Sequence, residues 1–224
     1  MRFACFGDSI TSEEVSGIGT LICSNLGAEL VGNYGHGNAS CADWSDHGKV
    51  LTEVCLDVPF DFYGPINTLS NQIRRFLAEG KTADVFYIAI CGNDGKDEFT
   101  PVVDDCEARF AGQCDPENRT TMCGALIWAV SQLRMIAPAA KIFMATPLRA
   151  SGTFLPCAFS EDALMKKREI VIKTAKFLGV ELIDSYTESP FDGIHGADDL
   201  GIHPKGDMRQ QIADFVTEKI RQKL

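Results

Sequence analysis

Arg2-Phe3-Ala4-Cys5-Phe6-Gly7-Asp8-Ser9-Ile10-Thr11 is an apolar run of strand length that stops at Gly-Asp-Ser. The run predicts a buried strand over residues 2–6, with a helix expected to follow. A serine placed there sits at the C-terminal edge of a strand. Its own N–H is then expected near a helix N-terminus, where unpaired donors and the helix dipole favour negative charge. That position suits a nucleophile whose product is an oxyanion. One serine does not make a site, so the remaining chain must supply a base, further donors and a fold.

Outward from this stretch, strand and helix patterns alternate. Ile18, Leu21, Ile22 and Leu26 have helical spacing, closed by Gly27. Residues 28–31 read as a second strand, running into a glycine-rich loop over 32–38. Leu69, Ile73, Phe76 and Leu77 mark a helix that ends at Gly80. Residues 84–91 form an almost continuous apolar run, as expected of a strand covered on both faces. That run stops at Gly92-Asn93-Asp94-Gly95. Residues 96–119 are polar and are expected to form an excursion or lid. A helix over 122–136 stops near Pro138, a strand covers 141–145, and a helix covers 161–178 with Gly179 after it. A fifth strand over 180–183, a loop over 189–204 and an amphipathic helix over 208–224 complete the chain. Residues 42–65 and 154–159 give no regular pattern.

This alternation predicts a single α/β domain over residues 1–224: a three-layer α/β/α arrangement around a central parallel five-stranded sheet. Sites in such sheets form at the C-terminal ends of the strands. The polar clusters Gly7-Asp8-Ser9, 35–38 and Gly92-Asn93-Asp94, and the loop before His203, all fall at such ends. Four loops converging on one edge is the strongest physical signal in the sequence.

Composition narrows the function. At 224 residues, with 45% hydrophobic and 23% charged residues, the chain is ordinary for a soluble globular protein. A net charge of -10 argues against nucleic acid or an anionic membrane surface as partner. There is no apolar run of about 18 residues, the length of a membrane-spanning helix. A first strand starting at Arg2 leaves no room for a signal peptide, so a cytoplasmic location with reduced thiols is expected, and the sequons at Asn38 and Asn118 are expected to be idle. Of nine cysteines, Cys5, Cys23 and Cys91 read as core residues. Cys106, Cys114 and Cys123 lie closer together, without Cys-x-x-Cys spacing to support a metal site.

A serine hydroxyl is a weak nucleophile until a base accepts its proton. His203, in Gly201-Ile202-His203-Pro204, is the leading candidate, because the following proline fixes the backbone locally. His195, in Asp192-Gly193-Ile194-His195, is its rival, and His36 and His47 are expected to be exposed and idle. A base needs an acid that holds the right tautomer. Asp199 lies four residues before His203 and Asp198 five before; Asp199 is preferred. Oxyanion donors are expected from the Ser9 N–H, a glycine N–H of the 35–37 loop and the Asn93 side-chain amide. Asp8 and Asp94 flank these groups and are expected to support them.

Gly7-Asp8-Ser9 after a first strand, a glycine-rich loop after the second, Gly92-Asn93-Asp94 after the third, and His203-Pro204 before the last helix resemble the four sequence blocks of the SGNH (GDSL-like) hydrolases. The likeness covers nearly the whole chain in order. It implies a flavodoxin-like SGNH hydrolase fold and carboxylic ester hydrolysis through an acyl-enzyme on Ser9. It implies His203 as base, a block-two glycine and Asn93 as oxyanion donors, and no metal or cofactor; a small-molecule ester is the expected partner, with no nucleic acid and no membrane. Two departures stand out. The family's acid usually precedes the histidine by three residues, where this chain has Leu200. The second block, Asn33-Tyr34-Gly35-His36-Gly37, is about one residue short; Gly37 is preferred, with Gly35 in reserve. Acetyl and other small acyl esters, including acetylated carbohydrates, are the expected substrates. The alternatives are a lipase- or lysophospholipase-type acyl hydrolase, a non-catalytic flavodoxin-like module that binds phosphate, and a degraded hydrolase used as a carbohydrate-binding surface.

Overall fold

The computed structural model describes residues 1–46, 49–50, 68–96, 98–151 and 157–224. In chain order the elements are β1 (Arg2–Gly7), α1 (Ile18–Leu26), β2 (Glu29–Asn33), β3 (Ser45–Asp46), β4 (Lys49–Val50), α2 (Leu69–Ala78), β5 (Val85–Ala89) and α3 (Cys106–Phe110). They continue with α4 (Met122–Ile136), β6 (Lys141–Ala145), α5 (Glu161–Leu178), β7 (Glu181–Ile183), α6 (Ser185–Glu188) and α7 (Asp207–Arg221). Five strands form one sheet in the order β2-β1-β5-β6-β7, every neighbouring pair parallel. β3 and β4 make a separate antiparallel ribbon.

The central strands β1, β5 and β6 are buried on both faces because they are apolar at nearly every position. Phe3 and Cys5 of β1, with Val85 and Tyr87 of β5, point to the layer of α1 and α7. Ala4 and Phe6, with Phe86 and Ile88, point to the layer of α2, α4 and α5. Period-two alternation thus divides one hydrophobic run between two cores. The second core is aromatic at its centre: Phe6 stacks on Tyr34 at 5.4 Å, and Phe76 meets Phe6 edge-on at 5.6 Å.

The expected elements form where local chemistry fixes their ends. Thr121 caps α4 by accepting from the Gly124 N–H, and Ser160 caps α5 by accepting from the Ala163 N–H. Gly179 closes α5 in the left-handed region at φ 61°. Cys5, Cys23 and Cys91 are buried, as their apolar settings predict.

Three expectations change. No helix follows Ser9 directly; α1 starts at Ile18, and residues 8–16 form turns in which Thr11 and Ser12 donate to the Asp8 carbonyl. The polar excursion contains a short helix, α3, and α6 follows β7 without a sequence signal. Of the segments left without a pattern, 47–48, 51–67 and 152–156 lie outside the described residues, as does residue 97 of the excursion. Residues 157–159 form one turn of 3-10 helix.

Candidate active site

Ser9 and its neighbours are fixed by the end of β1. Gly7 admits no side chain: a Cβ there would lie 2.0 Å from Thr11 Oγ1 and 2.7 Å from the Ala89 carbonyl. Its backbone is gripped by buried Gln72 of α2. The Gly7 N–H donates to Gln72 Oε1 at 2.9 Å, and Gln72 Nε2 donates to the Gly7 carbonyl at 2.8 Å. β1 thus ends at a defined height, and Ser9 emerges one turn later at the edge of a cavity.

Ser9 Oγ lies 2.8 Å from His203 Nε2, across a sequence separation of 194 residues. On the other side of the ring, His203 Nδ1 lies 2.7 Å from Asp198 Oδ2. A carboxylate can only accept there, so Nδ1 carries the proton and the Nε2 lone pair faces the serine hydroxyl. The second oxygen, Asp198 Oδ1, accepts from the N–H groups of Ile202 at 3.0 Å and His203 at 3.2 Å. Burial alone would raise this carboxyl. The hydrogen bonds from the ring and the two N–H groups outweigh it and hold Asp198 below the usual carboxylate range.

The acid against the histidine is therefore Asp198, not the expected Asp199. Residues 198–203 close into a turn: the Asp198 N–H donates to the His203 carbonyl, and the Gly201 N–H to the Asp198 carbonyl, with Gly201 at φ 70°. The turn folds residue 198 back under the ring and leaves Asp199 exposed. His195 makes a similar bond, Nδ1 to Asp192 Oδ2 at 2.7 Å, but its side chain is 81% exposed and does not line the Ser9 cavity. His36 is buried, not idle at the surface: its N–H donates to the Gly7 carbonyl and its Nδ1 to the Gly37 carbonyl. His47 lies outside the described residues.

Donors for a developing oxyanion line the same cavity as Ser9. Neither the Ser9 nor the Gly37 N–H has a protein acceptor among the described residues, and both residues line the cavity. The Gly35 N–H is already committed to Asn33 Oδ1 at 3.0 Å. Asn93 Nδ2 donates one hydrogen to the Ala39 carbonyl at 2.8 Å, which orients the amide and leaves its second hydrogen for a ligand.

Two carboxylates stand behind this row. Asp8 Oδ1 accepts from the Ile10 N–H at 3.0 Å and Oδ2 from the Gly92 N–H at 3.3 Å, tying the serine loop to the Asn93 loop. Asp94 accepts from the N–H groups of Cys41 and Ala42, both at 2.8 Å, tying the Asn93 loop to the segment after β2. Burial raises both carboxyls, Asp94 to about 6, against the pull of these N–H groups.

The cavity holds about 320 Å³ and contains Ser9, His203, Gly37 and Asn93 in its wall. The rest of its lining is mostly apolar, with Ile10, Val15, Leu148, Phe159, Leu200 and Ile202 prominent. Lys96, whose ammonium donates to Asn38 Oδ1, contributes to the wall from the Asn38 side. Among the described residues no cluster of His, Cys, Asp or Glu could hold a metal ion. Sequence reasoning missed Gln72 and Lys167, a fully buried lysine of α5. Neither carries a motif; a polar residue in the apolar stripe of a helix was the available signal.

No family model matches the chain, and no curated protein does. Solved structures match over nearly the full length at low identity. A carbohydrate acetylesterase from Sinorhizobium meliloti is 16% identical with a TM-score of 0.61, covering 100% of this chain and 99% of its own. The aryl esterase of M. smegmatis is 17% identical with a TM-score of 0.62 and the same coverage. A structure from Bacteroides uniformis named as a GDSL-like lipase is 12% identical with a TM-score of 0.63, covering 99% and 95%. The chain has the fold of these GDSL-like lipases and esterases.

Proposed function

We propose that the protein is a serine carboxylic ester hydrolase with Ser9 as nucleophile, His203 as general base and Asp198 as its orienting acid. The carrying observation is the chain of hydrogen bonds from Ser9 through His203 to Asp198, in one cavity with N–H donors that have no protein acceptor among the described residues. The fold shared with esterases and lipases supports the same reading. In the reaction, His203 Nε2 takes the Ser9 hydroxyl proton as Oγ bonds to the ester carbonyl carbon. The carbonyl oxygen becomes an oxyanion, met by the Ser9 and Gly37 N–H groups and the Asn93 amide. Collapse breaks the bond to the alcohol oxygen, which receives the proton from His203. Water, deprotonated by the same ring, then attacks the acyl-enzyme and releases the acid and Ser9. No metal or cofactor takes part in this sequence.

Small acyl esters, acetate first, remain the proposed substrates, and acetylated carbohydrates are included because one structural relative is a carbohydrate acetylesterase. A second reading, hydrolysis of longer acyl chains, is favoured by the apolar lining of the cavity. A panel of p-nitrophenyl acetate, butyrate and octanoate plus acetylated sugars tests both. The expected result is highest kcat/KM on acetate or butyrate and none in Ser9→Ala. Turnover confined to octanoate would select the second reading, and no turnover of any ester would refute the hydrolase.

A further inference from the structure

The site leaves one buried charge without a part in the reaction. Lys167, in the middle of α5, is fully buried. Its Nζ donates to the Gly92 carbonyl and to the Ala158 carbonyl, each at 2.7 Å. A buried ammonium is costly unless it is hydrogen-bonded and balanced by opposite charge. Here the ammonium is doubly hydrogen-bonded to groups of the active site, while burial still outweighs the pull of Asp94 and Asp8 and holds it below the usual lysine range.

Gly92 immediately precedes Asn93, and Ala158 immediately precedes Phe159, which lines the cavity. The Phe159 ring also packs against the ammonium, with Nζ 5.3 Å from its centroid. One side chain therefore joins the loop that carries an oxyanion donor to the turn that forms the neighbouring wall. Gly92 is held from both of its polar groups: its N–H by Asp8 Oδ2, its carbonyl by Lys167. The ammonium also interacts electrostatically with Asp8 and Asp94, the two carboxylates behind the donors.

We propose that Lys167 is a positioning residue: by clamping the Gly92 carbonyl to the Ala158 carbonyl, it holds the Asn93 amide in place for oxyanion stabilisation. The proposal rests on the ester-hydrolase reading. It belongs to kcat, because the clamp touches nothing in the ground state of the substrate that the transition state does not need more.

The test is a double-mutant cycle on p-nitrophenyl acetate with Lys167→Met, Asn93→Ala and the pair. Lys167→Met is expected to lower kcat roughly 10- to 100-fold, since misplacing a donor approaches the loss from deleting one, and to leave KM within about threefold. Because Lys167 acts through Asn93, the double variant is expected to be no more than about twofold slower than Asn93→Ala alone. Unchanged kcat, or losses that multiply, overturns the proposal. If Lys167→Met does not fold, Lys167→Arg, which keeps charge and donors but not their fit, enters the same cycle with the same criterion. If the wild type hydrolyses no ester, the hydrolase reading falls separately, and hydrogen exchange decides the clamp. Faster exchange of the Gly92 and Asn93 amides in Lys167→Met then supports it, and unchanged exchange overturns it.

Discussion

The two oxygens of Asp198 have different partners, and this division makes the residue testable. One oxygen shapes the 198–203 turn through backbone N–H groups and the other fixes the His203 tautomer. Asp198→Asn is expected to retain much of the turn, through its carbonyl oxygen, and to lose the tautomer. Its kcat should fall by roughly 10³–10⁴-fold, the cost of a wrongly protonated base in such a triad. Asp199→Asn, altering an exposed side chain, should stay within about twofold of wild type, because no contact to the ring depends on it. Stability gives an independent reading. The folded Asp198 carboxyl titrates below its unfolded value. Its stabilisation is therefore fully present above the ordinary carboxylate range near pH 4, and is lost as pH falls through the lower folded value. Urea unfolding of wild type and Asp198→Asn should accordingly differ at neutral pH and converge as pH falls below about 4.

At the scale of elements, Gln72 links α2 to the end of β1. Replacing it with leucine, of similar size, would leave the Gly7 N–H buried without an acceptor, while the Gly7 carbonyl keeps its bond from the His36 N–H. Gln72→Leu is expected to lower unfolding free energy by about 1–3 kcal/mol, the cost of an orphaned buried donor. Because the end of β1 sets the height of Ser9, kcat should fall with it; full activity at lowered stability would separate the two roles. This contact also shows where the sequence ceases to be readable. Helices α4 and α5 could be placed because their apolar spacing is closed by Pro138 and Gly179, which act within a few residues of the ends they define. The central strands could be placed because burial on both faces makes them nearly continuously apolar. Ser9, His203 and Asn93 could be nominated because strand ends are where such sheets put chemistry. Gln72, Lys167 and the preference for Asp198 over Asp199 depend on partners tens of residues away, or on the path of one turn, and neither leaves a local pattern. The helix expected behind Ser9 failed for a related reason: the apolar spacing that marks α1 begins only at Ile18.

At the scale of the molecule, the parallel sheet does the assembling. Its strand order puts β1 between β2 and β5, so the loops carrying Ser9, Gly37 and Asn93 are adjacent without any long excursion. The chain after β7 then returns across the same edge and brings His203 to Ser9. Among the described residues no helix is long and apolar enough to cross a membrane. The proposed reaction requires Ser9 to be a nucleophile activated by its place on this edge. It is tested most directly by treating the protein with a p-nitrophenyl alkylphosphonate and locating the adduct by intact-mass and peptide mass spectrometry. The account predicts one alkylphosphonyl group per chain, on the peptide containing Ser9, and none in Ser9→Ala. An unmodified wild-type chain, or an adduct that persists in Ser9→Ala, would contradict it.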